Sequence, residues 1–193
     1  MKTKRVWLIG AAAVALLATL AIALAVYGAP GTSNPTNALV EEVHRATTPF
    51  QAVKAAEAAG YALFHGCVSG PQGGAMGVHF VNGDLVGDGK LDAAKPEALM
   101  YEMRQGRMEL VGVEYVVLAE AWDKANKTPP MLKGQLFTYT SSPNRYGIPA
   151  FYALHVWAWK SNPDGSFADW NTKVSCEEYA AEEAPSAAAH AGH

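Results

Sequence analysis

Cysteine is nearly absent from the chain: the 193 residues hold two, Cys67 and Cys176. That excludes any Cys-x-x-Cys metal or redox spacing. The sequence also lacks H-x-H and H-E-x-x-H spacings, a G-x-S-x-G elbow and any internal repeat. No metalloprotease helix and no hydrolase nucleophile turn is therefore written into it. Basic excess is missing too. The formal charge is −3, and it moves to −6 once the three cations of the first 30 residues are set aside. An acidic domain of that kind is a poor partner for nucleic acid or anionic lipid.

Charge disappears altogether from Val6 to Tyr27, behind Lys2, Lys4 and Arg5. Basic residues followed by an apolar run describe an export signal, and this run is also long enough to span a bilayer. Residues 1–30 are thus expected to be a signal peptide or an uncleaved N-terminal membrane anchor, with membrane contact confined to that segment. No cysteine lies near the end of the run, which excludes a lipid-anchored form. The rest of the chain is expected outside the cytoplasm: periplasmic, extracellular (secreted), or held at the outer face of the inner membrane. In such an oxidising compartment Cys67 and Cys176 read as one disulfide, with a His65–Cys67 metal-ligand pair as the competing reading.

Beyond a polar linker at 31–36, Leu39, Val40 and Val43 mark a short amphipathic helix over Asn37–His44. Thr48-Pro-Phe-Gln51 predicts a second helix, capped by Thr48 with Gln51 closing a capping box, that runs to Gly60. Strand-like runs then dominate: Tyr61–Val68, Met76–Val81, Glu97–Glu102, Met108–Leu118, a weaker Leu132–Thr140, and Phe151–Trp159. Asn82–Asp92 reads as a solvated loop, because Val86 and Lys95 fall where a calcium loop needs oxygen ligands. The Asn162-Pro-Asp-Gly165 turn predicts Ser166–Trp170 as a hairpin partner of the last strand. The sum is a single α+β domain over residues 37–178. It has one or two N-terminal helices packed on a mostly antiparallel sheet of about five or six strands. Residues 179–193, rich in Glu, Ala and His, are expected to be a disordered tail.

Three of these strands each carry one titratable residue in an apolar context: His79, Glu114 and His155. Strand alternation puts His79 with Gly77 and Val81, Glu114 with Gly112 and Val116, and His155 with Ala153 and Trp157. If the strands are neighbours in register, the three side chains converge. Two imidazoles and a carboxylate can hold a transition metal (Zn, Cu, Fe or Mn) and leave positions open. Tyr101, Tyr115 and Trp157 are expected to wall the pocket. Three readings stand together: an exported domain that binds a metal ion or small ligand there, a metal-dependent enzyme using the same residues, and a structural or partner-binding module in which the trio only secures the sheet.

The motifs Ala59-Gly-Tyr61 with Cys67, Gly74-Ala-Met-Gly-Val-His-Phe-Val81, Pro96-Glu97, Leu110-Val-Gly-Val-Glu-Tyr115, Leu154-His-Val-Trp157 with Asn162-Pro163, and Asp169-Trp-Asn171 run across most of residues 50–176. In these motifs the chain resembles a family of hypothetical exported bacterial proteins. The resemblance implies the domain limits and brings no activity with it.

Overall fold

The computed structural model describes residues 35–182. The apolar N-terminal segment and residues 183–193 of the tail lie outside the described residues. The chain enters through helix α1 (Pro35–Thr47), starting on a proline, whose missing N–H costs a first helical turn nothing. Leu39 and Val43, one turn apart, are fully buried.

The capping box expected at Thr48 does not form. The Thr47 hydroxyl donates back to the Val43 carbonyl at 2.7 Å, and that of Thr48 to the His44 carbonyl at 2.8 Å. With both hydroxyls turned towards the helix behind them, neither caps the one ahead. Thr48–Gln51 is a 3-10 turn, Ala52 is extended (φ −95°, ψ 120°), and a short α2 (Val53–Ala58) follows.

The remainder is an α+β fold on a six-stranded antiparallel sheet, in the order β1-β2-β3-β4-β8-β7. Its strands are β1 (Ala62–Ser69), β2 (Ala75–Val81), β3 (Ala98–Arg104), β4 (Arg107–Leu118), β7 (Thr138–Thr140) and β8 (Phe151–Val156). A two-stranded ribbon, β5 (Met131–Leu132) and β6 (Gln135–Leu136), stands apart from it. The β3–β4 hairpin closes on Gln105 and Gly106, both at positive φ (51° and 69°), the backbone that a two-residue turn of this twist demands.

Two further helices lie outside the helices and strands read from the sequence, the first of them in the stretch expected to be a solvated loop. α3 (Gly83–Asp88) is capped by the Asn82 side chain, which accepts from the Asp84 and Leu85 amides, and closes on left-handed Gly89. α4 (Ala119–Ala125) follows β4 directly. Helix α3 is hidden in the sequence because two of its six residues are glycine, among the weakest helix formers.

One face of the sheet meets the N-terminal helices: Val78, Leu99, Tyr101, Val113, Tyr115 and Val156 pack in one core with Leu39, Val43 and Ala56. The other face carries the candidate site. Along the β3–β4 pair the register steps from Met100↔Gly112 to Tyr101↔Leu110, leaving Val111 as the extra residue of a bulge. The Val111 carbonyl accepts from the Trp159 and Lys160 amides. The chain therefore leaves the sheet after Val156, three residues before the expected strand end. Residues 166–170 form turns rather than a strand, tied back where Trp157 Nε1 donates to the Ala168 carbonyl at 2.6 Å.

Cys67 and Cys176 form a disulfide with Cα atoms 5.4 Å apart. It joins β1 to the end of the packed chain, and closing a loop of that length is worth ~4–5 kcal/mol in the chain-entropy account. Tyr179, within the stretch expected to be tail, is buried in the helix-side core.

Candidate metal centre

Register alone brings the three residues to one face. His79 on β2 lies opposite Met100 on β3, and Met100 opposite Gly112 on β4. Glu114, two residues on from Gly112, shares that face and sits directly opposite His155 on β8. Gly112 has to be small: a Cβ there would come within 2.8 Å of both Met100 Cε and the Val156 carbonyl oxygen.

His79 Nε2 lies 3.6 Å from Glu114 Oε2, and His155 Nε2 lies 3.6 Å from Glu114 Oε1, so the carboxylate stands between two imidazoles. One ligand atom from each residue falls within 4.8 Å of the others. Ligands held ~2.1 Å from a common ion sit roughly 3–4 Å apart, which the two 3.6 Å His–Glu spacings match. Burial is deep: 5% exposure for His79, 3% for His155, and 12% for the Glu114 side chain. Yet His79 Nδ1 and both ring nitrogens of His155 have no hydrogen-bond partner among the described residues. Buried polar atoms are rarely left that way, because each costs its full desolvation.

Electrostatics favour the ligating form at His79, while Glu114 and His155 are each drawn towards their protonated form, which a bound cation would reverse. Burial, reinforced by His155 and His65, brings His79 down to about 3, so its imidazole is neutral with a lone pair to offer. Burial raises Glu114, with His155 pulling it back down. Burial opposes a charge on His155 as well, but Glu114 and Asp169 outweigh it and raise its pKa. Asp169 Oδ1 stands 3.3 Å from His155 Nδ1, too loosely aligned for a strict hydrogen bond yet close enough for charge attraction. That contact favours the proton on Nδ1 and turns the lone pair of Nε2 towards Glu114, the arrangement in which a carboxylate supports a metal-ligating histidine.

Beside the cluster lies a cavity of about 510 Å³, with His79 and Glu114 in its wall. The expected aromatic wall is not there. Tyr101, Tyr115 and Trp157 do not line the cavity. The hydroxyls of Tyr101 and Tyr115 donate instead to the Phe50 and Ala93 carbonyls, on the helix side, and Trp157 packs with Met76, Met100 and Val111. Alternation is the reason for both tyrosines: Tyr101 pairs with Val78 while Met100 pairs with His79, and Tyr115 is the neighbour of Glu114, so each faces away from the cluster.

The cavity's own aromatics are Phe64, Phe151 and Tyr146, the last from the loop before β8. Tyr146 meets the His65 ring edge-on at 5.9 Å and donates to Met76 Sδ at 3.6 Å. His65 also lines the cavity but lies outside the three-residue cluster, and the disulfide removes Cys67 as its co-ligand. Sequence reasoning missed Asp169 and Tyr146 as site residues. Both sit in irregular segments, where facing cannot be read from alternation. No protein-family model, curated protein or solved structure matches the chain, so the site rests on its own geometry.

Proposed function

We propose that this is an exported metal-binding protein in which His79, Glu114 and His155 hold one divalent transition-metal ion. The observation that carries the reading is His155 Nε2. It is buried, without a hydrogen-bond partner among the described residues, and 3.6 Å from a carboxylate oxygen of Glu114. A metal satisfies that nitrogen and is within reach of His79 Nε2, where an ion pair at 3.6 Å leaves it unmet. Two imidazoles and one carboxylate suit Zn, Fe, Mn or Cu.

Three protein ligands, rather than four, mark a site with positions to spare, the pattern of catalytic rather than structural metal centres. The cavity against His79 and Glu114 favours the same second reading, a metal-dependent enzyme whose substrate enters from that side. Export follows from Lys2, Lys4, Arg5 and the apolar run behind them.

Replacing Glu114 by Gln tests the assignment, because it keeps the shape and removes the charge. Zinc affinity, measured by competition against a chromophoric chelator, is expected to fall at least about 100-fold, as for loss of a first ligand beyond the 10–100-fold of an outer partner. The circular dichroism spectrum should be unchanged. Equal zinc affinity in the two proteins would remove Glu114 from the site.

A further inference from the structure

The cavity is one-sided in its chemistry. Its walls are apolar (Met76, Val116, Leu118, Ile148 and Phe151 among them), and the polar side chains it meets are His65, His79, Glu114 and Tyr146. No lysine or arginine lines it among the described residues. An occupant therefore needs an apolar body, and a charged head would find its counter-charge only at the metal. With a divalent ion on two neutral imidazoles and the Glu114 carboxylate, the centre carries one net positive charge towards the cavity. Asp169 lies on the far side of His155 and is 41% exposed, so water screens its charge. A monoanion neutralises the centre, a dianion leaves buried negative charge, and a neutral head leaves the positive charge unmatched.

From this, and resting on the metal reading above, we propose that the cavity binds an apolar monocarboxylate. Its head group completes the metal's coordination and its chain or ring fills the space beneath Tyr146. The volume, about 510 Å³, falls within the roughly 300–1,000 Å³ of small-molecule sites. The rim fits such an entrant. Leu63 and Phe64 on edge strand β1 are exposed at 56% and 51%, neighbours in sequence on the cavity's border. α3 adds Gly83 and Gly87 to the lining, one turn apart, and a Cβ added to either meets nothing within 4 Å. Those glycines leave room that a larger residue would close without touching the metal ligands.

The test uses cobalt(II)-loaded protein, whose visible bands report on coordination, titrated with octanoate, acetate and octanol. Octanoate is expected to shift the bands and to bind at least about tenfold tighter than acetate, because its chain leaves water, and tighter than octanol, which lacks the charge. In Gly87→Phe, and independently in Gly83→Phe, cobalt stoichiometry should be retained while octanoate affinity drops at least about tenfold. Octanoate no tighter than acetate or octanol, or unaffected by both rim variants, would overturn the ligand assignment and leave the metal centre standing. Failure to take up cobalt at all would overturn both.

Discussion

At the scale of single residues, the cluster turns on what each buried polar atom faces. His155 is held between two carboxylates, and only one of them, Glu114, also meets His79. Asp169→Asn should weaken zinc binding about 10–100-fold while leaving one ion per chain, the usual cost of losing an outer partner. Unchanged affinity by chelator competition would show that Asp169 does not set the His155 tautomer.

Glu97 is a different kind of buried acid. It has no cationic partner among the described residues and its Oε2 accepts the Val116 amide at 3.1 Å, extending the β3–β4 ladder by a side chain. Burial raises it from 4.5 to about 8, with Asp88 and Glu114 adding to the rise. The folded protein thus keeps a proton that the unfolded chain has released. Its contribution to stability is complete below about 4.5 and is lost as pH climbs through about 8. Urea midpoints across that range should fall with pH in the wild type and fall less in Glu97→Gln. Parallel curves would refute the shift.

Among the secondary-structure elements, the regular strands were the legible part. His79, Glu114 and His155 could be placed on one face because each sits within a regular strand, where alternation holds and register adds no offset between Glu114 and His155. The same rule, carried across the β2–β3 pair, turns Tyr101 to the helix side, but which β3 residue stands opposite His79 is a matter of register that composition does not mark. Helix α3 was concealed by its glycines, and the loop that delivers Tyr146 has no period to read.

Close packing between strands has its own sharp test. Gly77 on β2 has φ +95°, and a Cβ there would sit 2.4 Å from the Tyr101 carbonyl oxygen, which is backbone and cannot swing aside. Gly77→Ala should therefore cost ~2 kcal/mol or more in urea unfolding, from strain and displacement together. A change within about 0.5 kcal/mol, the ordinary surface effect, would mean that β2 and β3 do not approach as described.

Over the molecule as a whole, the sheet divides the work. The face towards α1 and α2 buries the larger core and anchors its tyrosines on backbone carbonyls. The opposite face spends three strands on titratable groups and leaves an apolar cavity beside them. The disulfide secures β1, whose residues border that cavity, to the far end of the chain. Fold class and disulfide could be read from sequence because they depend on pattern and compartment. The cavity could not, because it is bounded by residues from β1, β2, β4, β8, a glycine-bearing helix and a loop.

The most direct test of the metal assignment is elemental analysis of the protein purified without chelator or affinity histidines, and truncated before the His190 and His193 tail. The account predicts about one equivalent of a single transition metal per chain, absent from a folded His79→Ala variant. Wild-type protein that carries no metal and takes up none from zinc, iron, manganese or copper salts would contradict it, and the three residues would then be a buried network that holds the sheet in register.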